Sequence, residues 1–394
     1  MHILVVTETY PPEINGVART LAELVGGLRT RGHTLSLVLP RRRAGTATSV
    51  VVESGLVHHE VKGLPLPGYP ELQFGLPSRG LFERLLRTQR FHAAYIATEG
   101  PLGYTALRAC ERHGVATLSG MHTNFHQYSR HYHVGLIAPL LLRYLRHFHN
   151  RVDATLVPTT AMAAALFEQG FERLRVWPRG VHAQQFDPRH RRAELRAAWG
   201  LGDDDLGVLH VGRLAAEKNI DAVFTAFAAI RARRPEARLI VVGGGPIERQ
   251  LRARHPDTLF AGPRTGRDLA EHYASADMFL FPSKTETFGN VTLEAMASGL
   301  AVVAFDLAAA HELIRHGHNG LLADADDDAG FVRQACRCAE DDDLRLQMKR
   351  HARETALQQD WPRLILELER LFVDCGTEGR DDDLEDAVRT SERP

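Results

Sequence analysis

Short apolar runs alternate with helical stretches along most of this 394-residue chain, and that alternation restricts the fold more than any other property of the sequence. Residues 2–6 form an apolar strand. Residues 16–31 carry Val17, Leu21, Leu24, Val25 and Leu28 at helical spacing and end near Gly32, and 34–39 return to strand. The result is a βαβ unit. Similar units follow at 79–90 then 93–97 and at 103–113 then 116–119, with a long helical region from about 135 to 150 before a strand at 154–157. Neighbouring parallel strands need a long crossover, usually a helix. The pattern predicts the α/β class, with open parallel sheets carrying helices on both faces.

At this length one core is unusual. The alternation pauses at 177–200, a stretch rich in Arg and Pro, and resumes with a strand at 207–211, a helix at 220–233 and a strand at 238–242, ending in 301–305. The expected organisation is two doubly wound, Rossmann-like domains facing a central cleft, at 1–178 and 179–360. A helix at 361–375 is expected to pack back on the first domain. The tail 376–394, with Asp381-Asp382-Asp383 and few apolar residues, reads as disordered.

A hydrophobic fraction of 44% is that of an ordinary soluble protein. Cys110, Cys336, Cys338 and Cys375 have neither zinc-site nor disulfide-framework spacing, which suggests a reducing compartment. The start of the chain reads as a strand rather than a signal peptide, and no apolar run nears the roughly 20 residues that span a bilayer. A cytoplasmic location is expected. Net charge is -1, yet residues 1–180 hold 20 Lys and Arg against 12 Asp and Glu, and the remainder 28 against 37. A basic first half suits an acidic acceptor or an anionic membrane surface, and equally a dispersed solvated face. The stretch 131–151 sets Leu140, Leu141, Leu142, Tyr144, Leu145 and Phe148 beside Arg143, Arg146 and Arg151, the composition of a core-facing helix or of an interfacial one at the inner face of the membrane. His131, His133, His147 and His149 are expected on a partly exposed helix. No nucleic-acid partner is expected.

The chemistry concentrates after strand ends. Glu286 and Glu294 flank a turn between the apolar run 278–282 and a helix closed by Gly299. Gly289 sits in the turn, so the amides of Gly289, Asn290 and Val291 emerge from a helix N-terminus, which favours an anion such as a diphosphate. Two carboxylates there suit the adjacent hydroxyls of a sugar or ribose. Arg213 and Lys218 follow the strand ending at Val211 and together can neutralise a diphosphate; pairing of Arg213 with a nearby acid is the alternative. Gly243-Gly244-Gly245 lacks the dinucleotide spacing and suits close packing. Gly16 opens the first helix and lets backbone approach a ligand. Among 21 histidines, position singles out His122, at the carboxyl end of the strand 116–119.

Taken together, Arg213 with Lys218, Glu286 with Glu294, the Gly16 loop and His122-Thr123-Asn124 resemble a retaining glycosyltransferase of the GT-B fold, family 4, over about residues 1–375. The resemblance implies that Arg213 and Lys218 hold the donor diphosphate, Glu294 the ribose hydroxyls and Glu286 the transferred sugar. It implies that Phe288, Gly289, Asn290 and Val291 touch sugar and phosphate, that Pro263, Arg264 and Gly16 join the donor contacts, and that His122 lies near the reacting carbon. The chain departs from the family at Asn15-Gly16, where two glycines are frequent, and at Gly244 and His182, where aspartates are. The segments 121–127, 285–290 and 305–310 resemble bacterial GDP-mannose-dependent α-mannosyltransferases and related lipid glycosyltransferases. The expectation is metal-independent, cofactor-free hexosyl transfer from a nucleotide sugar to a lipid or glycan acceptor. A UDP-sugar transferase for exopolysaccharide or lipopolysaccharide, a sugar-nucleotide 2-epimerase and a non-enzymatic nucleotide-sugar-binding module are the alternatives.

Overall fold

A computed structural model describes residues 1–13, 16–41, 50–66, 69–121, 138–286 and 288–391. The chain divides into two compact units, Met1–Pro178 together with the residues from Pro362 on, and Arg179–Trp361.

The first unit is built on an eight-stranded sheet in the order Leu174–Val176, Ala154–Val157, Ala116–Gly120, Ala93–Ile96, His2–Val6, Thr34–Pro40, Leu56–Val61, Val50–Glu53. Only the edge strand Val50–Glu53 runs antiparallel to its neighbour. A separate two-stranded ribbon joins Gly63–Leu66 to Tyr69–Gly75. Central strands such as His2–Val6, apolar from Ile3 onward, and Ala93–Ile96 are continuous hydrophobic runs because helices cover both faces of the sheet. The helix Gly16–Thr30 buries Leu21, Leu24, Val25 and Leu28, the stripe its spacing predicts. The helix beginning at Trp361 supplies this unit with Leu364, Ile365, Leu368 and Phe372, all 2% exposed or less. Its backbone carbonyl at Leu364 accepts the indole N–H of Trp177 at 3.0 Å, and Glu369 accepts from Arg31 and lies 2.9 Å from His33. Ile365 presses so close to Gly27 that a Cβ there would stand 2.5 Å from it.

The second unit carries six parallel strands in the order Leu259–Gly262, Arg238–Val242, Gly207–Val211, Met278–Phe281, Ala301–Phe305, Leu321–Ala323. The stretch 177–200, where the apolar alternation pauses, is packed into this unit from residue 179 onward. Val181, Phe186, Trp199 and Leu201 join its core, and Arg196 is 2% exposed. Arg196 donates to Asp277 Oδ2 at 2.9 Å and to the Asp205 carbonyl at 2.7 Å, so a charge-rich segment becomes interior by pairing its charges.

One expectation requires correction. The tail read as disordered is helical as far as Ser391, because a scarcity of apolar residues argues against a packed core and not against the backbone hydrogen bonds of a helix. His147 and His149 lie on the partly exposed helix Ala138–His149, and His131 and His133 lie outside the described residues; His149 itself is fully buried, since the last turn of that helix docks on the sheet, where its ring meets Ser119 and Glu99. The rest of that helix divides as an amphipathic one does, with Leu145 and Phe148 buried and Leu140, Leu141, Arg143, Tyr144, Arg146 and His147 exposed.

Candidate functional site

In the second sheet the chain runs from Gly207–Val211 outward through Arg238–Val242 and Leu259–Gly262, then crosses back to Met278–Phe281 on the other side of its starting strand. The loops leaving the carboxyl ends of those two neighbouring strands diverge, and open α/β sheets bind ligands at such reversals. Both charged segments leave the sheet there. One continues from Val211 through Arg213 to a short 3₁₀ turn at Ala216–Lys218, closed by Asn219 at φ 51°. The other continues from Phe281 to Glu286, turns at Gly289 with φ 89° and enters the helix Asn290–Ala297.

Side chains lock these loops together. Lys218 Nζ donates to Glu286 Oε1 at 2.6 Å and to the Thr285 carbonyl at 3.3 Å. Asn219 Nδ2 donates to the Pro282 carbonyl at 3.3 Å, and Thr285 Oγ1 to the Glu217 carbonyl at 3.0 Å. Ser283 Oγ donates to the same Glu286 oxygen at 2.8 Å. Glu286 is thereby aimed from two sides, and Oε2 keeps no protein partner among the described residues. The ammonium and carboxylate are about one-fifth exposed, 21% and 19%, so each is within reach of a ligand. A molecule bearing both diphosphate and hydroxyl groups can divide the pair, phosphate taking the ammonium and hydroxyl the carboxylate.

Gly289 caps the following helix without a side-chain hydrogen bond, which leaves the first amides presented outward. The Phe288 carbonyl accepts the Ala309 N–H at 2.7 Å, tying the turn to the loop after Ala301–Phe305, where Ala308 also has a left-handed backbone, φ 51°. Glu294, five residues into the helix, is 5% exposed and accepts from the Tyr273 hydroxyl at 3.1 Å. Below the first loop, His210 is buried with Nδ1 3.0 Å from the Leu280 carbonyl. Burial first, and then the Lys218 charge, pull its pKa down to about 4, so it adds no charge to the site.

Lys218, Glu286, the 288–291 turn and Glu294 are therefore gathered about one helix terminus. Arg213 extends from the neighbouring loop, 67% exposed and 3.8 Å from Glu217. Pro263 lies beside Gly244, and Arg264 donates to Asp268 at 2.9 Å and to the Ala261 carbonyl at 2.9 Å within its own turn. A Cβ on Gly243 or Gly245 would stand 1.9 or 2.3 Å from the carbonyl oxygens of Gly212 and Leu214, so these glycines seat the Arg213 loop. Gly16 belongs to the other unit, and His122 lies outside the described residues. Tyr273, Ser283 and Asn219 carry no sequence signal of their own. They are found only once the two strands are known to be neighbours.

Two Rossmann-like domains, the second holding an ammonium, two carboxylates and a bare helix terminus at its sheet reversal, define a nucleotide-sugar glycosyltransferase of the GT-B fold. The model described as "Glycosyltransferase Family 4" matches residues 14–185 and that described as "Glycosyl transferases group 1" matches 205–341. The chain is 34% identical over 322 residues to the GDP-mannose-dependent alpha-mannosyltransferase of Mycobacterium tuberculosis, covering 82% of this chain and 83% of that one. It is 27% identical over 354 residues to the alpha-monoglucosyldiacylglycerol synthase of Streptococcus pneumoniae, covering 85% and 78%. The fold matches that of Anabaena Alr3699/HepE in complex with UDP, with a TM-score of 0.74 at 19% identity over 95% of this chain and all of that one. The chain belongs to glycosyltransferase family 4.

Proposed function

We propose that this hexosyltransferase moves mannose from GDP-mannose, with retention and without a metal, to a hydroxyl of a lipid or lipid-linked acceptor. The observation that carries the reading is the Lys218–Glu286 pair beside the Gly289 helix terminus, a cation for the diphosphate and a carboxylate for the sugar held 2.6 Å apart. The relatives named for GDP-mannose and for a glucosyldiacylglycerol support the donor and the acceptor class. In the transfer the bond from the anomeric carbon to the diphosphate oxygen breaks as charge gathers on that oxygen. Lys218, Arg213 and the 289–291 amides face that charge, and fixed donors aimed at developing charge usually supply the largest catalytic term. The departing diphosphate takes the acceptor's proton, and the new bond forms on the face it leaves. Glu286 orients the sugar hydroxyls, and Glu294 those of the ribose.

Peripheral contact with an anionic membrane is assigned to the helix Ala138–His149, where Leu140 and Leu141 are exposed beside Arg143 and Arg146. No described helix is long and apolar enough to cross a membrane.

Calorimetry with GDP, UDP and ADP, and transfer from GDP-mannose to dispersed diacylglycerol with and without EDTA, test the reading. GDP is expected to bind, and transfer to survive the chelator. Lys218→Ala is expected to weaken GDP binding roughly ten- to a hundredfold, the loss of one charge-assisted hydrogen bond of about 1.5–3 kcal/mol. Preference for UDP, or chelator-sensitive turnover, rejects the donor or the metal-free mechanism respectively.

A further inference from the structure

The first sheet has a reversal of its own. The chain leaves His2–Val6 for Thr34–Pro40 on one side and later crosses back to Ala93–Ile96 on the other. This is the position that Gly207–Val211 and Met278–Phe281 hold in the second sheet, where the candidate donor groups gather. The residues just beyond the carboxyl ends of the first pair include two carboxylates, Glu8 and Glu99.

Glu8 is seated by backbone rather than by cations. Its Oε1 accepts the Gly75 N–H at 3.3 Å, and its carboxyl lies so close to Gly100 that a Cβ there would stand 2.2 Å from the same oxygen. Gly100 caps the helix Pro101–Arg112 without a side-chain bond. Glu99 is fixed from behind: His149 Nε2 donates to its Oε1 at 3.1 Å, His149 Nδ1 lies 2.8 Å from Ser119 Oγ, and the Tyr144 hydroxyl donates to its carbonyl. No described cation pairs with Glu8.

We propose that Glu8, held beside Glu99 at the reversal of the first sheet, binds the acceptor and hydrogen-bonds the hydroxyl of a glycerol- or sugar-bearing lipid headgroup. The proposal rests on the transferase reading above and adds the acceptor-binding residue. Carboxylates suit hydroxyl ligands for the reason that applies to Glu286. An unpaired carboxyl kept half-buried in glycine backbone is poor design for stability and good design for a ligand. Around Glu8 stand the Glu99 carboxylate, the Tyr144 phenol, the Gly75 amide and the Gly100 backbone, with His149 behind Glu99 and Glu13 engaged by Thr9 on its own loop. Burial first, and then the Glu99 charge, raise its pKa to about 7 against the Gly75 hydrogen bond. The stronger, ionised acceptor therefore forms between about pH 6 and 8.

The experiment measures transfer from GDP-mannose to two detergent-dispersed probes, a diacylglycerol and a monoglycosyl diacylglycerol, with GDP affinity recorded in parallel. Glu8→Ala is expected to raise the KM of whichever lipid is used about tenfold, with GDP affinity unchanged. For the wild type the acceptor KM should fall as pH rises through 7. For Glu8→Gln, which folds with the same shape and keeps a hydrogen-bonding amide, it should be flat. Unchanged acceptor KM in both variants, or equal losses of acceptor KM and GDP affinity, overturns the assignment while the transferase reading stands. Wild-type enzyme that binds GDP and glycosylates neither lipid overturns both.

Discussion

Three residues around the candidate donor site have backbones that L side chains adopt reluctantly or glycine alone adopts freely: Asn219 at φ 51°, Ala308 at φ 51° and Gly289 at φ 89°. Each stands in a loop at the carboxyl end of a neighbouring strand. Asn and Gly occupy such geometry at little expense, whereas Ala308 is strained by roughly 1 kcal/mol or more. Strain of this kind persists where a surrounding bond fixes it, and here the Ala309 N–H is committed to the Phe288 carbonyl. Glu8 is the electrostatic counterpart in the other domain. Its pKa is raised, so the folded state retains a proton that the unfolded chain releases near pH 4.5. Folding is therefore unpenalised by Glu8 below that pH and loses stability as pH rises from about 4.5 to about 7, above which the penalty is constant. Glu8→Gln should raise the melting temperature at pH 8, by a stability gain of roughly 3 kcal/mol, and leave it nearly unchanged at pH 4. A thermal melt at the two pH values checks this, and a gain of equal size at both would contradict it.

At the scale of elements, strands buried on both faces were legible because an apolar run has few other uses, and the helices between them followed from spacing and closing glycines. The region 50–75 was not, since Val50–Glu53 is an edge strand, Gly63–Leu66 and Tyr69–Gly75 form a ribbon containing Pro65 and Pro70, and the strand Leu56–Val61 between them carries His58 and His59 in place of a continuous apolar run. The strand-to-helix turn at Gly289 was readable because the strand, the glycine and the helix after it are contiguous in sequence. Tyr273 and Ser119 were not, since their roles arise from packing across many residues. The segment from 179 to 200 shows the limit most plainly: its Arg and Pro content and lack of apolar periodicity mark a domain boundary and no core residue, yet Arg196 is core. Removing one partner of a buried pair strands the other. Arg196→Ala should therefore destabilise the second domain by about 3–5 kcal/mol, visible as a lower urea midpoint, although Arg191 and Lys349 also flank Asp277 and soften the loss. Destabilisation under 1 kcal/mol would mean that Arg196 merely fills space.

Over the whole molecule, the basic excess of the first half is less available than its count implies. Arg151 is engaged by both oxygens of Glu111, at 2.7 and 2.8 Å, whereas Arg143 and Arg146 remain on the exposed face with Leu140 and Leu141. Each basic residue near an anionic surface contributes about 1 kcal/mol, so the double variant Arg143→Glu, Arg146→Glu should weaken vesicle binding by at least about thirtyfold. Arg151→Glu should change it far less. Co-sedimentation with anionic vesicles at low and high salt checks this, and binding that ignores both salt and the double variant rejects the membrane helix.

The passage of the chain out of the first domain after Pro178 and back into it at Pro362 also sets an order of events at the ribosome. Leu364, Ile365, Leu368 and Phe372 complete a hydrophobic layer whose first strand begins at residue 2, and at about 5–20 residues per second they emerge roughly 20–70 s after it. The second domain, contiguous in sequence, can close in the interval. During synthesis the domain that starts first finishes after the second, with the seat for its closing helix beside Gly27 and Trp177 open until residues 364–372 have been made.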